Sequence, residues 1–326
     1  MAELTLPPRY ELGEPIGGGE QAVVYQATDT LTGRPVVAKV ARQPWQTAAA
    51  VLAGEAAVPP WDRDAAAAVL EREAVALMSV DDDRVVKLYD ADIECDVPYL
   101  ILEHVGGEDL ESRIAAKPPL RMRESLHIAA EIADVLTVVH KAGYVHRDVN
   151  PRNIRLTPAG VKLLDFGLAV SLDPAVRDVT ADQGAPGYIA PERIPREPGV
   201  PVRRGGPAAD LYALGALTYQ LVTGIMPFWG RNEAEIRAAQ REGDPTPLAL
   251  MHPGVPPELD RVVMSMLDPC PQARPPSAAY VQRVFQTIAA GNPRGDFEAA
   301  PGAERGPTNA STPWRPPRPQ PRPGRL

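Results

Sequence analysis

The sequence predicts an α+β chain in two lobes: a strand-rich first third with one helical region, then a larger, mainly helical part ending in a Pro/Arg-rich tail. Three observations predict it. Short β-rich apolar runs, Val36-Val37-Ala38-Lys39-Val40 and Tyr99-Leu100-Ile101-Leu102, fall between about Tyr10 and Val105. From about Glu108 onward, apolar residues recur at helical spacing. After Gly291 the composition turns to Pro, Arg and Gly with few aliphatics. The 326 residues exceed what one small core occupies, and two packed lobes plus a tail fit that length.

The elements follow in order. Ile16-Gly17-Gly18-Gly19-Glu20-Gln21-Ala22-Val23-Val24-Tyr25 joins two strand-like runs. Its glycines allow a sharp turn and let N–H groups approach phosphate oxygens, although a Gly-rich hairpin is more often a plain turn. The stretch from Pro44 to Pro60 is Ala-rich and ends in Pro59-Pro60. A helix begins after Asp62 or Asp64, both good N-caps, and runs through Leu70, Glu73 and Leu77. Arg123 to His140 carries Leu126, Ala129, Ala133, Leu136 and Val139 on one face, with Gly143 as C-cap. Ala208 to Val222 is apolar all round, which predicts a buried central helix stopping at Thr223-Gly224. Pro257 to Leu267 and Ser277 to Ala290 are further helices. The tail, residues 292–326, lacks the apolar surface needed to offset its ordering entropy and is expected to be disordered. Within it, Arg315 to Pro323 favours polyproline II and is a candidate ligand for a proline-recognising partner.

Bulk properties exclude some functions. A formal net charge of −8 argues against a general nucleic-acid binder. Cys95 and Cys270, the only cysteines, make neither a disulfide framework nor a structural zinc site. No apolar run approaches the roughly 18 residues of a membrane span. The first residues, Met1-Ala2-Glu3-Leu4-Thr5, lack the basic and apolar regions of a signal peptide. The expectation is a soluble, cytoplasmic protein.

The chemistry concentrates in His146-Arg147-Asp148-Val149-Asn150-Pro151-Arg152-Asn153, followed shortly by Asp165-Phe166-Gly167. Two acids and an amide on neighbouring loops can hold a nucleotide's metal ions and orient an attacking hydroxyl. Further segments are collinear with this set: Val37-Ala38-Lys39, Gly187-Tyr188-Ile189-Ala190-Pro191-Glu192, Asp210-Leu211-Tyr212-Ala213-Leu214-Gly215, Thr223-Gly224-Ile225-Met226-Pro227-Phe228 and Pro271-Gln272-Ala273-Arg274-Pro275.

Together these motifs resemble those of the eukaryotic-like (Hanks-type) bacterial Ser/Thr protein kinases, over roughly residues 10 to 290. The resemblance implies a bilobal kinase fold with a small antiparallel N-lobe (about 10–104), a mainly helical C-lobe (about 105–290) and the tail 291–326 outside it. It implies ATP with Mg²⁺ or Mn²⁺ as cofactors, protein substrates, and transfer to Ser/Thr hydroxyls, including the chain's own. Pairing of two copies through the back of the N-lobe is a mode the family allows.

The resemblance also assigns residues. Gly17, Gly18 and Gly19 cradle the phosphates. Lys39 reaches them and is held by Glu73, with Glu71 or Glu55 as alternatives. Leu102 is the gatekeeper. The backbone of Glu103 and Val105 pairs with the adenine edge, Val24 and Ala38 cover the ring, and Arg155 lies beneath it, by its stem or as a stacked cation. Asn153 and Asp165 ligate metal. Asp148 accepts or orients the substrate hydroxyl, and His146 is structural. Leu77, Leu88, His146 and Phe166 couple the lobes, and Arg274 pairs with Glu192. Thr180, flanked by Asp178 and Asp182, is the candidate phosphosite facing Arg147.

Two positions depart from the family. Asn150 stands where a lysine is usual, and Ala185 where a threonine is usual. Arg152 is the candidate to supply the missing charge, as an arginine at that position does in tyrosine kinases. The competing readings are a nucleotide-binding pseudokinase or scaffold, a tyrosine-specific enzyme, and a small-molecule phosphotransferase. The last is disfavoured by Glu192, Asp210 and Arg274.

Overall fold

The computed structural model describes residues 6–18, 22–42, 62–175, 183–195, 205–252 and 254–291. Gly19, the Ala-rich segment with Glu55, Thr180 with Asp178 and Asp182, and the tail from residue 292 lie outside the described residues.

The N-lobe is a five-stranded antiparallel sheet in the order β1-β2-β3-β5-β4. Its strands are β1 (Tyr10–Gly18), β2 (Ala22–Asp29), β3 (Arg34–Ala41), β4 (Leu88–Asp92) and β5 (Tyr99–Glu103). Helix α1 (Arg63–Ser79) packs on one face of this sheet. Asp62 starts it, its Oδ1 accepting from the backbone N–H of Asp64 at 2.9 Å and Ala65 at 3.1 Å.

Strand alternation sorts the side chains into two cores. Val36, Ala38, Val40, Tyr99 and Ile101 pack with Leu6, Tyr10 and Ala27 on the face turned away from the cleft. Val37, Ala41, Leu100 and Leu102 face α1 and the C-lobe, in the larger core. One consequence corrects an expectation. Ala38 is fully buried on the face opposite Lys39, so it cannot cover a base lying on the lysine's side. Val37, two residues before Lys39 and opposite Leu102, shares the lysine's face, as does Val24, opposite Lys39.

Below β5 the chain forms β6 (Glu108–Asp109), α2 (Leu110–Ala116) and α3 (Met122–Lys141). Strand β7 (Tyr144–Val145) leads into the motif loop and pairs with β10 (Val170–Ser171). Strands β8 (Ile154–Thr157) and β9 (Gly160–Leu163) join β6 in a three-stranded sheet. Helix α4 (Pro207–Thr223) is buried along nearly its whole length, as its apolarity predicts, and Gly224 ends it with φ 79°. Only glycine adopts that left-handed conformation without strain. Helices α5 (Glu233–Glu242), α6 (Leu248–Met251), α7 (Pro257–Met266) and α8 (Ala278–Gly291) complete the lobe, α8 packing along α3. Helix α5 had no clear signal in the sequence, because its segment carries only Ile236 and alanines as apolar residues.

Candidate active site

Lys39 on β3 reaches two carboxylates at once. Its Nζ donates to Glu73 Oε2 on α1 at 2.7 Å and to Asp165 Oδ1 at 2.8 Å. Of the two weighed acids among the described residues, Glu71 and Glu73, Glu73 is the one the structure brings to Lys39. Burial pushes the lysine down, but the charges of Asp165 and Glu73 outweigh it and its pKa is raised. The Lys39 charge holds Asp165 below the usual carboxylate range. Burial pushes Glu73 up, only partly offset by Lys39. Gly167 leaves the cluster room: a Cβ there would stand 3.1 Å from Asp165 Oδ1 and 3.2 Å from Lys39 Nζ, a tight contact. The Gly167 N–H adds a 3.1 Å bond to Asp165 Oδ1.

Phe166, between them, is fully buried and meets His146 edge-on, with ring centroids 4.7 Å apart. His146 is buried and its Nε2 lies 3.0 Å from the Leu164 carbonyl, a core position consistent with a structural role. Leu77 is buried on α1, and Leu88 packs against the same core.

The motif loop is held from below by Asp210 on α4. Its Oδ1 accepts the Arg147 N–H at 2.7 Å, and its Oδ2 accepts the His146 N–H at 2.9 Å and lies 2.8 Å from His140 Nε2. Burial alone would raise the Asp210 pKa, but the bond to His140 and the N–H of Arg147 bring it below the usual value. Arg147 (φ 70°) and Asp165 (φ 49°) are the non-glycine residues with positive φ among the described residues. Backbone strain of this kind collects at functional sites.

Asp148 is fixed at both carboxylate oxygens. Oδ1 accepts the Ala185 N–H at 3.1 Å, and Oδ2 accepts from Asn153 Nδ2 at 2.7 Å. A backbone N–H thus bonds Asp148 at the position where the family threonine is missing. Asn150 does not aim outward as a lysine would. It is buried, donates to the Asp148 carbonyl at 3.0 Å and accepts the Arg152 N–H at 3.0 Å, capping the 3₁₀ turn Pro151–Asn153. Arg152 is exposed, and its Nε donates to Glu111 Oε1 at 2.9 Å rather than to Asp148.

The remaining candidates line the mouth of the cleft. Leu102 is buried at the end of β5, and the Glu103 N–H donates to the Lys87 carbonyl at 2.9 Å. Val105 packs against the large core. Arg155 on β8 keeps its Nε buried and without a hydrogen-bond partner among the described residues. Its Nη1 lies 3.4 Å from the Gly107 carbonyl and 3.9 Å from Asp109 Oδ2. Gly17 and Gly18 close the end of β1, exposed.

The donor set fits a divalent cation that arrives with phosphates. Both Nδ2 hydrogens of Asn153 go to Asp148, leaving Oδ1 as an acceptor. Asp165 is half-exposed, and its Oδ2 has no hydrogen-bond partner among the described residues. Mg²⁺ takes one or two protein oxygens and completes its shell with phosphate and water. The described residues contain no group of three or more His, Cys, Asp or Glu that would hold a metal unaided.

A cavity of about 930 Å³ opens elsewhere, between α3 and α8, lined by Arg84, His127, Glu131 and Gln286 among others. It touches none of the residues above.

Arg193, whose Nη1 donates to the Arg147 carbonyl at 2.8 Å, and Val37, on the lysine's face of β3, belong to this neighbourhood and escaped the sequence reading. Val37 was legible from strand alternation about Lys39. Arg193 follows the Ala-Pro-Glu motif with no pattern to mark it.

The chain matches a family model described as "Protein kinase domain" over residues 10–286. It is 29% identical over 261 residues to the serine/threonine-protein kinase PrkC of Bacillus subtilis, covering 78% of this chain and 37% of that protein. It is 30% identical over 309 residues to the serine/threonine-protein kinase PknB of Mycobacterium tuberculosis, covering 92% of this chain and 46% of that protein. The chain therefore spans less than half the length of these curated relatives.

Proposed function

The chain belongs to the protein kinase domain family, and on that premise we propose that it transfers the γ-phosphoryl group of ATP to serine or threonine hydroxyls of proteins. The family generally uses ATP with Mg²⁺. The observation that carries the reading is the convergence of Lys39, Glu73 and Asp165 within hydrogen-bond distance, beside an Asp148 bonded at both oxygens.

In this reading each residue has one task. Leu102 and the backbone of Glu103 and Val105 receive the base, Val24 and Val37 lie above it, and Arg155 lies below. Glu73 holds Lys39 against the phosphates. Asp165 and Asn153 hold the metal, which when bound neutralises phosphate charge. Asp148 orients the substrate hydroxyl and takes its proton as the oxygen bonds to phosphorus and the bond to the β-phosphate oxygen breaks. Arg152 is left at the mouth of the site, engaged by Glu111. Its exposure fits contact with a protein substrate better than contact with the γ-phosphate.

The test is phosphate incorporation into the purified chain and into a generic basic protein, with ATP and Mg²⁺ or Mn²⁺. Signal in the wild type that disappears in Lys39→Met and Asp148→Ala is expected. Nucleotide binding without incorporation under either metal would overturn the reading and favour a scaffold, the alternative that Asn150 and Ala185 suggest.

A further inference from the structure

Arg193 is among the largest fully buried side chains of the described residues, at 1% exposure. It sits in the 3₁₀ turn Pro191–Arg193. A buried guanidinium must spend its donors on fixed acceptors, or the cost of removing it from water is not recovered. Two of those acceptors are backbone carbonyls on different segments. Nη1 donates to the Arg147 carbonyl at 2.8 Å, and Nη2 donates to the Gln183 carbonyl at 2.6 Å.

Both carbonyls bear on Asp148. The Arg147 carbonyl belongs to the peptide unit that leads directly into Asp148, at a residue already strained to φ 70°. The N–H of the same Arg147 is held by Asp210 at 2.7 Å, so the residue is fixed from both sides. Gln183 precedes Ala185 by two residues, and the Ala185 N–H donates to Asp148 Oδ1. One planar guanidinium therefore sets both the backbone that carries Asp148 and the segment that grips its carboxylate. Arginine suits this task because its fork presents parallel donors to two acceptors, which an ammonium cannot reproduce.

We propose that Arg193 is a positioning residue for the transfer reaction, tying residues 147–148 to residues 183–185 where neither Asn150 nor Ala185 supplies a side-chain link from Asp148 to the phosphate end of the site. The proposal rests on Asp148 acting as the group that meets the substrate hydroxyl. The clamp itself is tested without activity.

The experiment uses the full chain with Arg193→Lys and Arg193→Met, each made in the wild type and in an Asn150→Lys/Ala185→Thr background. Amide hydrogen exchange is followed without nucleotide in peptides covering 146–153 and 183–187. Exchange in both peptides is expected to rise about tenfold or more in Arg193→Met, and less in Arg193→Lys, while α4 and the N-lobe sheet keep their protection. In turnover, kcat falls while KM for ATP stays within about twofold, and the fall is smaller in the double-substituted background. Unchanged exchange in 183–187 would overturn the clamp, as would a rise spread evenly over the C-lobe. An equal kcat loss in both backgrounds would overturn its coupling to Asp148. A wild type that transfers no phosphate would sink the proposed function instead, and the exchange result would still decide the clamp.

Discussion

The guanidinium of Arg274 grips the carboxylate of Glu192 through two hydrogen bonds, of 2.9 and 2.7 Å, with its side chain wholly buried. Arg274 also donates to the carbonyls of Ala208 at 2.7 Å and Asp268 at 2.9 Å, and lies 5.0 Å from the Tyr212 ring centroid. This joins the 3₁₀ turn Pro191–Arg193 to α4 and to the loop before α8. Removing one partner strands the other charge in the interior, at a cost of about 3–5 kcal/mol. Arg274→Ala is expected to lower the urea midpoint accordingly, with an unchanged slope. A loss under about 1 kcal/mol, the range of an exposed pair, would refute the buried geometry.

Asn150 and Ala185 stand where the family usually carries a lysine and a threonine. Restoring both residues, Asn150→Lys with Ala185→Thr, is expected to raise kcat by about a hundredfold, the lower end of what a single transition-state donor contributes. Steady-state turnover with saturating ATP measures this. No gain would mean that the buried cap made by Asn150 matters more than the absent charge.

Arg152 is bound to Glu111 at an exposed position, where such a pair contributes about 0.2–1 kcal/mol. Because its Nε is bonded to Glu111 and not to Asp148, Arg152→Ala is expected to change kcat by no more than about fivefold. KM for a protein substrate should move more. A kcat loss approaching that of Asp148→Ala would restore Arg152 to the phosphate-contacting role its position in the motif suggests.

Val37 and Ala38 are neighbours with opposite duties. Val37→Phe places bulk on the lysine's face and should abolish nucleotide binding, read by calorimetry, in a chain that still unfolds cooperatively. Ala38→Leu overpacks the far core against Tyr10 and Tyr99 and should cost about 1–3 kcal/mol with nucleotide affinity unchanged. The reverse pattern would put Ala38 over the base.

Asp210 has a depressed pKa in the folded chain, so its stabilising effect is present above the unfolded value of about 3.9 and is lost as pH falls through the folded value. Asp165 is depressed in the same sense by Lys39. Folded wild type should hold its stability down to about pH 4 and lose it below. The stability gap between wild type and Asp210→Asn, measured by denaturant titration at several pH values, should narrow as pH drops below about 4. A gap that stays constant down to pH 2 would mean Asp210 titrates at its ordinary value.

The sequence by itself determined what is local or ordered along the chain. Helix α4 was legible because an all-apolar run needs burial on every side, and α1 because Asp62 can cap it through its own next residues. The order of the motifs grouped Lys39, Asp148, Asn153 and Asp165, and the structure brings Lys39 to Asp165 and Asn153 to Asp148. The tertiary structure decided what depends on partners far apart in sequence. Glu111 meets Arg152 across 41 residues, the Ala185 N–H meets Asp148 across 37, and Arg193 reaches the Arg147 carbonyl across 46. Each of these contacts spends a hydrogen bond on an acceptor or donor that no periodicity announces. A backbone N–H in place of a threonine hydroxyl leaves no trace in residue type at all. The physical reason is that alternation and capping act within a few residues, whereas a buried polar group must be satisfied wherever the folded chain places an acceptor.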